Sequence, residues 1–219
     1  LNIQSLNISV DKKSKKTIFK NDVIVTDIDN NIFKSQYAEY DKNQKLLISK
    51  GTTSILTSEG YLVSGKNITF DNKKKFITSN DPATIKDIEN NNIYLEKFEY
   101  STKNNFFKST GNIKIEDVNN NTYNFSQIYI DEKKREILGT DIKSFLNQEN
   151  FKMDPDNKPR VFANTVRLDK EKTRFTKSIF TLCDYRKNDK CPPWSLQASE
   201  MTHDKKKKTI YYDNAVIKI

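Results

Sequence analysis

The sequence predicts an all-β chain of stacked antiparallel hairpins, and three observations predict it. A turn-forming cluster recurs at Asp11 (DKKSKK), Asp41 (DKNQK), Asp71 (DNKKK), Ser101 (STKNN), Asp131 (DEKKR), Asp169 (DKEKT) and Asp204 (DKKKK). The first four intervals are 30 residues, then 38 and 35, which marks a structural repeat. Ahead of each cluster stands an apolar pair two residues apart, and helical periodicity is almost absent. The one helical candidate, DIKSFLNQ at 141–148, is too short to shape the fold.

Each element of the repeat has a physical reason. Asp opens a turn well because its carboxylate accepts bonds from backbone amides two residues on, and Lys and Asn keep the tip wet. The pairs before the turns are Ile8/Val10, Ala38/Tyr40, Ile68/Phe70, Phe98/Tyr100, Ile128/Ile130, Val166/Leu168 and Met201/His203. Residues two apart on a strand share a face, so pairs in register build two apolar columns along a stack. Six positions after each turn opener stand Thr17, Leu47, Ile77, Phe107, Ile137, Phe175 and Ile210. A weaker third strand follows, carrying Val23 to Ile28, Ile55, Ile85, Ile113/Ile115, Ile179 and Val216 or Ile217. Ahead of several pairs the alternation slips by one residue, as from Tyr123/Phe125 to Ile128/Ile130. A slip in parity needs a bulge or bend, which implies strands that turn a corner between two sheets. The expected object is one domain over 1–219, with about seven repeats that each touch mainly their neighbours. The segment 148–160, with two prolines, reads as a loop inserted between the fifth and sixth repeats.

Composition sets the bounds on function. The chain has 219 residues, 35% hydrophobic and 31% charged, with a net charge of +9. That charge suits a polyanion partner, but most lysines sit in turns, where a solvated surface is the plainer reading. No run is apolar and long enough for a membrane helix. The N-terminus lacks a signal pattern, and the apolar ending AVIKI reads as a cut from something longer. Neither a nucleophile elbow, a phosphate loop, a dinucleotide fingerprint nor a zinc-protease motif occurs, so no catalytic residue, cofactor or metal is expected. His203, the single histidine, falls in a column position and reads as structural. The columns themselves read either as filled core or as a slot. A slot lined by Phe70, Phe98, Phe107, Ile128, Ile130 and Ile137 suits acyl chains, with each buried methylene contributing about 0.8 kcal/mol.

The closing stretch holds the rare residues: Cys183, Cys191, Trp194, His203 and Pro192-Pro193. Two cysteines eight positions apart fit a disulfide better than a zinc site. This stretch resembles the end of the periplasmic N-terminal domain of the LptD (OstA-like) family of lipopolysaccharide-assembly proteins. The resemblance rests on Cys183 after its apolar-Thr step, Pro193-Trp194, the alternating SLQASE, His203-Asp204, and Asn214-Ala215 before a closing apolar strand. It covers 180–219 closely and the upstream repeats more loosely.

The resemblance implies a V-shaped β-jellyroll that is not an enzyme and lies at the periplasmic face of the outer membrane. It implies that lipopolysaccharide arrives from an LptA-like bridge protein docked at the N-terminal edge strand, 2–10. It also implies that acyl chains ride in the interior and pass to a C-terminal β-barrel, absent from this chain, with an LptE-like lipoprotein. The lipid-groove candidates are then Ile8, Val10, Tyr40, Ile68, Phe70, Phe98, Tyr100, Phe107, Ile128, Ile130, Ile137, Val166 and Leu168. A Cys183–Cys191 bridge competes with bonding to barrel cysteines, which the family implies near Cys183. The alternative is a structural β-solenoid that binds protein partners through its sheet edges.

Overall fold

The turns act as expected. In the turn at 11–15, Asp11 Oδ1 accepts from the amides of Lys13 at 2.9 Å and Ser14 at 3.3 Å. Asp41 and Asp71 do the same for the residues two and three positions on. The last turn residue takes the left-handed conformation: Lys15, Lys45, Lys75, Asn105 and Arg135 have φ between 53° and 62°. A type of hairpin loop that ends on a left-handed residue sends the chain back antiparallel.

These turns organise a computed structural model in which residues 1–147, 158–182, 194–207 and 209–219 are described. The described chain is all-β, and its strand pairs are antiparallel. It forms two compact units, Leu1–Gly111 and Asn112–Ile219. The first contains β1 (Asn2–Gln4), β2 (Asn7–Asp11), β3 (Lys16–Thr26), β4 (Ile32–Asp41), β5 (Leu46–Ser49), β6 (Thr52–Leu56), β7 (Leu62–Lys66), β8 (Thr69–Asp71), β9 (Phe76–Ser79), β10 (Ala83–Lys86), β11 (Asn92–Leu95) and β12 (Phe98–Ser101). Next comes β13 (Phe106–Glu116), which carries the chain into the second unit. There follow β14 (Thr122–Asp131), β15 (Glu136–Phe145), β16 (Arg160–Leu168), β17 (Lys172–Thr181), β18 (Ser195–Asp204), β19 (Thr209–Asp213) and β20 (Val216–Lys218). The stretch from Asp141 to Phe145, offered by sequence as a helical turn, is part of strand β15.

Each unit contains two ladders of paired strands. In the first unit one ladder runs β2, 16–20 of β3, 37–41 of β4, β5, β8, β9, β12 and the start of β13. The other runs β1, 24–26 of β3, 32–35 of β4, β6, β7, β10 and β11. In the second unit the hairpin-tip halves of β14 to β18 pair with one another and end on β19. Their other halves pair likewise and end on β20. The expected third strand is therefore a full second ladder with turns of its own.

Long strands pass from one ladder to the other at corners, as the parity slips imply. Left-handed residues mark these corners: Asn21 and Asp22, Gly51, Asn67, Gly111, Asp141, Lys177 and Asn214. In β3 the register shifts between Lys20 and Val23, across Asn21-Asp22. Buried serines 30 positions apart tie down the corners where ladder bonds are interrupted. Ser49 Oγ accepts from the Ile68 amide at 3.1 Å, Ser79 Oγ donates to the Lys66 carbonyl at 2.9 Å, and Ser109 Oγ donates to the Lys97 carbonyl at 2.6 Å. These bonds satisfy backbone groups that would otherwise be buried unpaired.

Candidate functional site

The apolar columns exist as cross-strand rows. In the first unit the register links Val10 to Thr17, Thr17 to Tyr40, Tyr40 to Leu47, Leu47 to Phe70, Phe70 to Ile77, Ile77 to Tyr100, and Tyr100 to Phe107. A parallel row begins Ile8, Phe19, Ala38. In the second unit one row runs Ile130, Ile137, Leu168, Thr173, His203, Ile210, and the other Ile128, Gly139, Val166, Phe175, Met201, Tyr212. Phe175 therefore lies in the row of Val166 and Met201, not beside Leu168 as the turn count implied. The turn at Asp169 closes with a bond from the Asp169 amide to the Lys172 carbonyl at 2.9 Å. That turn is shorter than its neighbours, so Thr173 takes the place next to Leu168.

The interior of these rows is closed by the protein's own side chains. Ile68, Phe70, Phe98, Tyr100, Phe107, Ile128, Ile130 and Val166 are all buried, while Tyr40, Ile137 and Leu168 are half-buried. Tyr100 stacks on Phe107 with centroids 4.1 Å apart, and Phe98 tilts against Phe107 at 6.0 Å. Phe33, from the second ladder, stacks on Phe70, from the first, at 5.3 Å. That contact shows the two ladders of the first unit facing each other, as aromatic pairs at such separations pack favourably.

The ends of the rows are different. Ile8 is 59% exposed and Val10 64%. They lie on β2, which among the described residues pairs with β3 alone. Ile8 and Val10 are therefore not interior residues of this chain. They stand at the end of the rows, where β2 has β3 as its one partner strand among the described residues. In the second unit Val216 and Ile217 of β20 are also exposed, and β20 pairs with β18 alone among the described residues.

His203 sits half-buried in its row, opposite Thr173 and Ile210. Burial, reinforced by the Lys205 charge, lowers its pKa from the ordinary 6.5 against the opposing pull of Asp204. This environment favours a neutral imidazole, as a row residue would have. Cys183 and Cys191 lie outside the described residues, and so does the disulfide expectation.

A second turn series was missed by sequence reading. It closes the other ladder at 27–31, 57–61, 87–91 and 117–121, again 30 residues apart. Asp27 Oδ1 accepts from the amides of Asp29 and Asn31, both at 2.9 Å, and Oδ2 accepts from Asn31 Nδ2 at 2.9 Å. Asp87 and Asp117 build the same turn with Asn91 and Asn121. Successive turns are also linked: the Ser58 amide donates to Asn31 Oδ1 at 3.0 Å, and the Asn147 amide to Asn121 Oδ1 at 2.7 Å. The Asp-x-x-x-Asn spacing was the available signal.

No protein-family model matches the chain, and no curated protein matches it. Among solved structures it is similar to that of LptH, the LptA-homologous periplasmic component of the conserved lipopolysaccharide transport device from Pseudomonas aeruginosa. The identity is 15% over 64% of this chain and 80% of that one, with a TM-score of 0.26.

Proposed function

We propose that this chain is a periplasmic lipid-transport domain that holds the acyl chains of lipopolysaccharide against its apolar rows and hands the lipid onward to an outer-membrane β-barrel. The observation that carries the reading is the first unit's row from Val10 to Phe107, apolar but for Thr17 and, among the described residues, without a second partner strand at its β2 end. Two facing ladders without catalytic groups make a surface for greasy chains rather than a reaction centre. Rings already fill the middle of the row at Phe70, Tyr100 and Phe107, so an entering chain first meets Ile8, Val10 and Tyr40. The open edge of β2 is where a bridge protein of the LptA kind adds a strand and continues the rows. The resemblance of the closing stretch to the LptD family supports the same assignment, including a barrel with an LptE-like partner as the recipient.

The test compares binding of intact and deacylated lipopolysaccharide by titration calorimetry. Affinity that requires the acyl chains supports the reading. Equal affinity for the deacylated sugar overturns it. A second reading, a structural module that binds proteins through its edges, is favoured by the one-sided pairing of β2 alone. Capture of a partner strand on β2 with no lipid bound at saturating lipopolysaccharide selects that reading.

A further inference from the structure

The two ladders of the first unit are joined along one side by strands that turn the corners, as β4 pairs with β5 in one ladder and with β6 in the other. On the other side each ladder ends in turns, the hairpin series at 11–15, 41–45, 71–75 and 101–105 and the second series at 27–31, 57–61 and 87–91. These turns are the two lips of one mouth, because a tip of one series meets a tip of the other. Asn105 Nδ2 donates to Ser58 Oγ at 3.2 Å and to Glu59 Oε1 at 3.5 Å, across 47 and 46 residues of sequence. The lips carry opposite charge, lysines such as Lys103 on one and Asp29, Glu59 and Glu89 on the other, which favours closure.

Closure is graded along the mouth. The last residue of each hairpin turn is left-handed, with Lys15, Lys45, Lys75 and Asn105 at φ between 53° and 62°. Lys15 and Lys45 are exposed, Lys75 is half-buried, and Asn105 is only 6% exposed. The row just inside follows the same order: Val10 is exposed, Thr17 and Tyr40 are half-buried, and from Leu47 to Phe107 its members are buried. Asn suits the last place because it tolerates a left-handed backbone and offers a short amide donor where the other turns have a lysine ammonium. We infer that Asn105 is a latch: it ties the lips at the end of the first unit farthest from β2 and leaves the mouth free to part toward β2. The latch itself is independent of what the rows carry. Its second role rests on the transport reading above: where the rows carry acyl chains, the latch limits how far they reach toward Tyr100 and Phe107.

Hydrogen exchange of the full chain, read by mass spectrometry, tests the latch. Asn105→Gly removes the amide and keeps the left-handed backbone without strain. On the opposite lip the amides of Ser58, Gly60 and Tyr61 are hydrogen-bonded. They are expected to exchange about fivefold faster in that variant, the worth of one neutral hydrogen bond. N105D sets a carboxylate against Glu59 and is expected to exceed that rise. N105D/E59Q rebuilds the bond with donor and acceptor exchanged and is expected to return close to the parent. N104A, at an exposed residue of the same tip, is expected to change nothing at 57–61. A circular-dichroism spectrum matching that of the parent shows that each variant is folded. Unchanged exchange at 57–61 in N105G, an equal rise in N104A, or no recovery in N105D/E59Q would each overturn the latch. For the reach of the chains, a photo-crosslinking residue at Phe107 is expected to gain lipopolysaccharide adducts about fivefold in the N105G background, with those at Val10 unchanged. Faster exchange with unchanged adducts at Phe107 would overturn that second role. Faster exchange with no adducts at either position overturns the transport reading and supports the latch alone.

Discussion

Asn31 is fully buried at the second turn series and holds two repeats together. Its Nδ2 donates to Asp27 Oδ2 at 2.9 Å, and its Oδ1 accepts from the Ser58 amide at 3.0 Å. Substituting Asn31→Ala leaves a buried carboxylate oxygen without its donor, because Asp27 is only 5% exposed. A bond to a charged group contributes about 1.5–3 kcal/mol and a neutral bond about 1 kcal/mol, so the loss is about 3 kcal/mol. For a chain of this length that corresponds to a fall in Tm of roughly 6–12 °C. Thermal unfolding followed by far-ultraviolet circular dichroism measures it. The matched control is Asn43→Ala at an exposed hairpin tip, where the described bond is made by the backbone amide alone; its effect is expected within about 0.5 kcal/mol. Asn121→Ala is expected to mirror Asn31→Ala through Asp117 and the Asn147 amide. Equal melting temperatures for Asn31→Ala and Asn43→Ala would refute the linking role of the second turn series.

Three further outcomes follow from packing, backbone and charge. A Cβ added at Gly139 would lie 2.5 Å from Cε1 of buried Phe125, so Gly139→Ala is expected to cost about 2–3 kcal/mol, and pairing it with Phe125→Leu in a double-mutant cycle should recover part of that; additive effects would reject the clash. Lys45 holds a left-handed φ of 57°, so Lys45→Gly should be more stable than Lys45→Ala by about 1 kcal/mol in urea unfolding, and the reverse order would show the turn relaxes. Bonds from Ser14 hold the Asp11 carboxyl below its ordinary 3.8, and the Lys207 amide does so for Asp204. Carboxylates with lowered folded pKa values stabilise the fold above the ordinary value and lose that contribution as pH falls through the folded value. His203, also lowered, contributes above 6.5 and loses its contribution on acidification. Stability should thus fall in two stages as pH drops, one below 6.5 and removed by His203→Gln, one below 3.8; a flat profile would contradict both.

The hairpin register was legible because Asp and Lys have distinctive turn chemistry and recur at a constant interval. The pairs Phe98/Tyr100 and Ile128/Ile130 could be placed in rows for the same reason. The second ladder was not, since its turns vary in composition: DIDNN, TSEGY, DIENN and DVNNN. Its strands also share residues with the first ladder through the corners, so one strand of β3 length holds two parities. Phe175 was misplaced because a count from Asp169 assumes a turn as long as the others. Whether a row is slot or core depends on how rings from facing ladders meet, as Phe33 meets Phe70, and spacing along one strand carries no information on that. Exposure at Ile8 and Val10 depends on β2 having β3 as its one partner strand among the described residues, and pairing partners are not encoded in local sequence.

The central claim is that acyl chains contact the rows and enter from the β2 end. A photo-crosslinking residue at Val10, at Phe107 and at surface Lys133, each exposed to lipopolysaccharide, tests it most directly. Strong adducts are expected at Val10, weaker ones at Phe107 where rings must yield, and none at Lys133. Adducts of equal strength at all three positions, or at Lys133 alone, would contradict it.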